Sequence, residues 1–250
     1  MTPAISIMMV TYNRLDLTKK MMQSLQDTVG LSFRLIVVDN GSKDGTVDWL
    51  KQLSPDPRFC QGVHTHFFEE NQGIAIGRNQ GLLIANKYKD PYLCTVDNDV
   101  EFPHHWDFQC IAIMQANPKY SIGVCFEEPP HYLHPLTRNG QTFQYKSKGN
   151  LGTACMMFDR ELHDKIGYFT TEYERYGEED ANWGFRARLA GYNLGYITQP
   201  GKHLGVSELD TGEYRTFKDE CRKKNVAKFQ QDCYAYSSGK KPIYIPYIGK

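Results

Sequence analysis

Asp97, Asn98 and Asp99 follow the short apolar run from Tyr92 to Val96. Where side chains alternate, residues two apart point the same way, so this spacing aims two carboxylates at one spot. Like charges so placed repel, unless a cation sits between them or water bathes both. A hard divalent ion that takes its remaining positions from substrate phosphates suits such a pair. The plain alternative is an acidic turn after a buried strand. Three further acids, Glu178, Glu179 and Asp180, open a stretch with helical spacing that carries Trp183, Ala187 and Ala190 and closes at Gly191. Carboxylates in a first helical turn favour the helix dipole, which alone is reason enough for them. Thr11-Tyr12-Asn13-Arg14, Asp39-Asn40-Gly41-Ser42 and Asn71-Gln72-Gly73 are polar clusters of the same kind. His203 stands alone in a loop, ordinarily the mark of a polar surface residue. The spacing of His131 and His134 could suit a metal, but a solvated loop is the simpler reading.

The elements that must position these residues alternate. Ile5 to Val10 is a near-continuous apolar run, as in a strand covered on both faces. The helix after it is expected to be capped by Asp16, with Leu17, Met21, Leu25 and Val29 along one face. Phe33 to Val38 is a second buried strand, after which Asp44 caps a helix with Val47, Leu50 and Leu53 inward. A weaker strand near Val63 to Phe68 leads into a helix from Ile74 to about Tyr88, and then into the strand that ends at Asp97. This alternation implies a parallel sheet with right-handed crossovers and helices on both faces. Ligands bind such sheets outside the carboxyl ends of the strands, where all four polar clusters fall. Neither GxGxxG nor a Walker lysine loop is present, so a nucleotide here would have its phosphates held by a metal.

Further along, a helix from about His104 to Ala116 buries Ile111 and Met114, and Ser121 to Phe126 is a fifth strand. From Glu127 to about Lys148 the alternation lapses into what reads as a loop or hairpin over the crevice. Gly149 to Phe158 is a strand entered through small residues, Asn193 to Thr198 a last strand, and Glu213 to about Tyr236 a long polar helix. Pro242 to Tyr247 reads as an extended strap laid along the body.

Charge is balanced over the 250 residues, with 29 basic and 29 acidic, so no whole-molecule field points to nucleic acid or membrane. The balance hides nine Lys or Arg against three Asp or Glu from Arg215 to Lys250. Seven cysteines, an odd number without a CxxC pair, read as buried thiols in a reducing compartment. No signal peptide opens the chain, and no apolar stretch approaches the roughly 20 residues that span a bilayer. The expectation is a soluble, cytoplasmic protein.

Taken together and in order, these motifs resemble the family-2 inverting glycosyltransferases of GT-A fold. The resemblance runs from Ile5 to about Gly205 and also rests on Arg78-Asn79-Gln80-Gly81 and Asp44-Gly45-Thr46. It implies an α/β fold, a Rossmann-like, mostly parallel twisted sheet flanked by helices, with a C-terminal helical extension. Residues 1–208 would be the transferase domain, with a nucleotide-binding half at 1–100 and an acceptor half at 101–208, and 209–250 the extension. The implied activity is metal-dependent, inverting transfer of a hexose or pentose from a nucleoside-diphosphate sugar, UDP-linked by preference, to an acceptor hydroxyl. Thr11, Tyr12 and Arg14 would line the nucleotide pocket, Asp39 bond a uracil-like base, and Arg78 reach the diphosphate or base region. Asp97 would meet the ribose or sugar, with Asn71, Asn98 and Glu179 also on the donor. Asp99 and His203 would be ligands of Mn²⁺ or Mg²⁺, and Asp180 the general base, its pKa lowered by the helix dipole and raised again by burial beside Trp183. The acceptor would be a glycan or small molecule. Basic residues interleaved with tyrosines in the last 36 residues allow DNA carrying a hydroxymethylated base as an alternative. A non-catalytic nucleotide- or sugar-binding module of the same fold is the competing class.

Overall fold

A nine-stranded sheet with order β3-β2-β1-β4-β9-β6-β10-β8-β7 runs through the protein, and its sequence explains each half. The computed structural model describes residues 5–54, 60–126, 132–152, 154–204 and 212–248. β1 (Ile5–Thr11), β2 (Phe33–Asp39), β3 (Cys60–Phe67) and β4 (Tyr92–Val96) are parallel neighbours joined by helical crossovers. Their apolar residues serve both faces. Ile7, Met9, Leu35 and Val37 pack with α1 (Leu15–Thr28), α2 (Thr46–Lys51) and α4 (Trp106–Ala116), while Met8 and Ile36 pack on the opposite side with α3 (Ile74–Ala85). α5 (Arg160–Ile166) and α6 (Glu179–Leu189) join α3 on that second face through Leu162, Trp183 and Ala187.

The second half departs from simple alternation. β9 (Cys155–Asp159) inserts antiparallel between β4 and β6 (Tyr120–Gly123), and β10 (Asn193–Tyr196) then pairs parallel to β6. The stretch expected as a loop or hairpin over the crevice is a hairpin, β7 (Leu133–Arg138) and β8 (Gln141–Lys146), but it extends the far edge of the sheet beside β10. There β8 is paired on both sides, where a position over the crevice would leave one side to solvent. His134 bonds Ser147 there, and His131 lies outside the described residues. All seven cysteines are thiols, five of them buried.

Beyond the sheet, α7 (Glu213–Ser237) lies on α6, with Phe229 and Tyr236 against Phe185. The tail after it is a strap: Ile245 forms a bridge to Gly167, and the Tyr247 hydroxyl donates to Gln80. Arg186, fully buried, donates to the carbonyls of Ile166, Tyr168 and Ile243 and to the Asn182 side chain. A buried guanidinium without a carboxylate is tolerable when carbonyls satisfy it on several sides. Burial still pulls its pKa down to about 10. Gly167 makes the strap possible, for its φ is 68° and a Cβ there would lie 2.0 Å from the Ile245 carbonyl oxygen. Gly167→Ala should therefore cost about 2 kcal/mol or more, from backbone strain plus the displaced strap. Urea midpoints at unchanged slope measure it, and a loss below about 0.5 kcal/mol would mean the strap adds little.

Candidate active site

Polar loops at the carboxyl ends of β1 and β2 are stitched together before any ligand is considered. Asn13 and Arg14 both have left-handed backbones, with φ of 55° and 64°. Asn13 is held by donating its N–H to the Ser42 hydroxyl (2.7 Å) and accepting the Lys43 N–H on its side chain (2.8 Å). Asp44 then accepts the Leu15 N–H. This corrects the expected caps: Asp16 lies within the first turn of α1, and Arg14, not Asp16, is the residue before the helix. Asp44 bonds Thr46 through both its N–H and hydroxyl, one residue ahead of the Gly45 cap.

Asp39 ends β2 fully buried. One carboxylate oxygen accepts the N–H groups of Gly41 (3.1 Å) and Ser42 (2.9 Å), while the other, Oδ2, has no partner among the described residues. A polar oxygen buried without a donor is costly, so it marks a place where an N–H from a ligand would be welcome. Thr11 does not present its hydroxyl to open space. Its hydroxyl meets that of Thr18 at 3.1 Å, and the Asn98 amide donates to both. Thr18 was not legible as a site residue, although a buried threonine on the apolar face of α1 was a signal. Tyr12 follows half-buried. Asn71 accepts from Asn40 and from the Gly73 N–H, fixing the turn into α3.

The two aspartates after β4 part company. The strand ends at Val96, so the alternation that would have aligned them does not extend to Asp99. Asp97 pairs with Arg78 at 3.0 Å, whereas Asp99 pairs with Arg14 at 2.7 Å and faces His203 Nε2 at 3.7 Å. β5 (Val100–Glu101) and β11 (Lys202–His203) form a short antiparallel ladder that brings His203 beside Val100. The Leu204 N–H donates to the Asp99 carbonyl and completes it.

Arg78 is the other hub. It is 5% exposed, and donates to Glu179 at 2.5 Å as well as to Asp97. Burial works against its charge, but Asp97, Glu179 and Asp180 outweigh that and raise its pKa. The guanidinium thus bridges the end of β4 to the start of α6. Glu178, at φ 68°, precedes α6, and Glu179 and Asp180 form its first turn. Asp180 is half-buried, with its pKa raised to about 7, first by burial and then by the Glu179 charge, against the lowering effect of Arg78.

Could a metal be held here? Asp99 and His203 are oxygen and nitrogen donors 3.7 Å apart. Two ligands on one divalent ion at about 2.1 Å each span at most roughly 4 Å, so the pair fits without rearrangement of either strand. Among the described residues no group of three or more His, Cys, Asp and Glu is arranged to hold an ion. An ion here would complete its shell with phosphate oxygens and water, as magnesium commonly does.

The chain is similar to known proteins. Residues 6–167 match the family described as Glycosyl transferase family 2, a span that ends before Asp180 and His203. YwdF, an uncharacterized glycosyltransferase of Bacillus subtilis (strain 168), is 28% identical over 193 residues, 74% of this chain and 68% of that protein. The mannosyltransferase PcManGT from Pyrobaculum calidifontis, solved in complex with GDP-Man and Mn²⁺, has a TM-score of 0.60 at 17% identity, covering 87% of this chain and 60% of that one. S. aureus TarS 1-349 in complex with UDP-GlcNAc has a TM-score of 0.62 at 15% identity, covering 83% and 61%. The chain therefore spans about 60% of the length of these solved structures, and at such identities the likeness is one of fold. No described helix is long and apolar enough to cross a membrane.

The raised pKa of Asp180 has a stability consequence with a definite sign. A carboxyl whose folded pKa lies above its unfolded value binds protons more tightly when folded, so it costs stability as pH rises from about 4 to about 7 and holds that cost above. Asp180→Asn should thus unfold at higher urea than the parent at pH 8. The gap should close towards pH 4. Equal midpoints at both pH values would show that the carboxylate is not destabilised by its surroundings.

Proposed function

We propose, for a chain that belongs to glycosyl transferase family 2 and is a glycosyltransferase of GT-A fold, that it transfers a sugar from a nucleoside-diphosphate donor with inversion, using Asp180 as general base. The observation that carries this reading is the position of Asp180. It is a half-buried carboxyl on a helix terminus with a pKa of about 7, and its neighbour Glu179 is tied through Arg78 to Asp97 at the strand ends where a donor would lie. A base poised near the working pH is ionised in useful amount and still basic enough to take a proton.

On this reading the orphaned Asp39 oxygen accepts an N–H of the nucleoside base, and the stitched loops around Asn13 and Ser42 shape that end of the site. Asp97, 35% exposed at its side chain and held by Arg78, is placed to accept from a ribose or sugar hydroxyl. Asp99 and His203 would hold Mn²⁺ or Mg²⁺, and a bound ion supplies Lewis-acid neutralisation of the charge on the departing diphosphate. Asp180 takes the acceptor proton as the acceptor oxygen bonds to the anomeric carbon. The bond to the diphosphate oxygen breaks with its electron pair on the opposite face. One displacement inverts the configuration and needs no second carboxylate as nucleophile. The two halves at 1–100 and 101–208 then serve donor and acceptor, with the extension at 209–250 behind the base.

For the acceptor, a glycan or small molecule is favoured over DNA. Lys224 and Lys228 of α7 face Glu174 and Glu172, and Arg222 faces Glu178, so a polyanion would compete with the protein's own carboxylates for these cations. A binding module without catalysis is the other class. It gives no reason for a carboxyl held near neutrality.

Two variants separate the roles. Asp180→Asn should keep UDP affinity and lose transfer or donor hydrolysis by about 10²- to 10⁴-fold, while Asp99→Asn should weaken UDP binding only when Mn²⁺ is present. Calorimetry with UDP, with and without Mn²⁺, and hydrolysis of UDP-glucose, UDP-N-acetylglucosamine and GDP-mannose read both. Hydrolysis by the parent should rise with pH through about 7. Full activity of Asp180→Asn, or UDP binding indifferent to metal in the parent, would overturn the assignment.

A further inference from the structure

The turn that delivers Asp180 is held from inside by one backbone bond, the Ile74 N–H donating to the Arg175 carbonyl at 3.2 Å, and otherwise from the C-terminal helix. Residues Glu174 to Gly177 lead into α6, and the last steps are backbone conformations that rarely persist unaided: Gly177 at φ 93° and Glu178 at φ 68°. The second is not a glycine, so surrounding contacts must impose it. The side-chain bonds to the 174–177 backbone come from α7. Asn225 is 1% exposed, although Arg222, Lys223, Lys224 and Val226 around it are exposed. Its side-chain oxygen accepts the Glu174 N–H at 2.8 Å, and its amide donates to the carbonyls of Tyr176 and Gly177, both at 2.9 Å, and of Glu174 at 3.3 Å. These four bonds of the carboxamide all go to the backbone of one turn. A second tie lies one helical stretch further on, where the Tyr173 hydroxyl donates to buried Asp232 and accepts from Asn182 of α6.

We infer that Asn225 is a positioning residue for the base, fixing the 174–177 turn so that α6 starts with Glu179 on Arg78 and Asp180 at its catalytic depth. This rests on Asp180 being the base. Asn225 is too buried to touch substrate, and it reaches the chemistry only through the backbone it holds. The groups that set the behaviour of Asp180 meet at this helix start. Glu178 and Glu179 come from α6 and the residue before it, Arg78 from α3, Asp97 from the end of β4, and Arg222 from α7, 3.8 Å from Glu178. Loosening the turn would let water reach Asp180 and move its carboxyl towards the ordinary range.

The test uses the full chain and donor hydrolysis, with whichever of UDP-glucose, UDP-N-acetylglucosamine and GDP-mannose the parent hydrolyses fastest in Mn²⁺. Asn225→Ala, and Asn225→Asp, which keeps an acceptor but loses both donors, should lower kcat by about 10- to 100-fold, the scale expected when a catalytic group is misplaced. The donor KM should stay within about threefold, because Asn225 bonds only the turn and Asp97 keeps its own bond to Arg78. The midpoint of the acid limb of kcat should fall by about half a unit or more below the parent value. Should Asn225→Ala fail to fold, Tyr173→Phe loosens the same turn from its other end and is read by the same midpoint. An unchanged kcat, or a lower kcat with an unmoved midpoint, overturns the inference. Asp180→Asn in the same assay separates the two claims. If it is inactive while the Asn225 variants behave as the parent, only the positioning role fails, whereas an active Asp180→Asn removes the base assignment itself.

Discussion

A single buried guanidinium joins the two halves of this molecule's chemistry. Arg78 leaves α3 and meets Asp97 from the first, parallel half of the sheet and Glu179 from the helix of the second. Take it away and three carboxyls, Asp97, Glu179 and Asp180, would face one another with no other cation between them among the described residues. Breaking a buried charge cluster by removing one partner costs about 3–5 kcal/mol, far more than the pairs contribute when intact. The start of α6 cannot therefore be placed independently of β4. The proposed base side and the proposed donor side share this one contact.

That constraint also explains the acidic turn and its basic neighbour. Glu172, Glu174, Glu178, Glu179 and Asp180 lie within nine residues, a density that self-repulsion would loosen. Arg78 answers from inside, while Lys228 and Lys241 answer Glu172, Lys224 faces Glu174 and Arg222 faces Glu178 from outside. Exposed pairs contribute little each. The buried bonds from Asn225 and Asp232 do more to fix the turn, with the lysines relieving its charge. A basic C-terminal helix in a neutral chain thus has an intramolecular reason.

Much of this was legible in the sequence, and what was hidden had physical causes. Buried strands such as Ile5–Thr11 and Phe33–Asp39 announce themselves through continuous apolar runs, and turn chemistry marks their ends. The strap at Ile245 was legible from its prolines and apolar residues. The reversed direction of β9 was not, because a buried strand has the same composition whichever way it runs. Asp97 and Asp99 share a motif but not a direction, since a turn begins after Val96 and ends the period of two. Thr18 and Asn225 were missed for another reason. Each bonds to partners far away in the chain, and spacing carries no record of such bonds.

The site also shows why stability and activity pull apart here. Three of its residues, Asn13, Arg14 and Glu178, hold left-handed backbones, and two carboxylate oxygens, Asp39 Oδ2 and Glu179 Oε2, are buried without a hydrogen bond. Each feature alone costs stability, and a core under no other demand would have been freed of them. They are affordable because the surrounding sheet is apolar on both faces and closely tied by α7 and the strap. The orphaned oxygens differ in kind. Glu179 Oε2 sits beside an oxygen already bound to Arg78, whereas Asp39 has only backbone N–H donors and no cation against it among the described residues. An uncompensated charge is the stronger reason to expect a donor from outside, so Asp39 is where a bound nucleoside should stabilise the fold most.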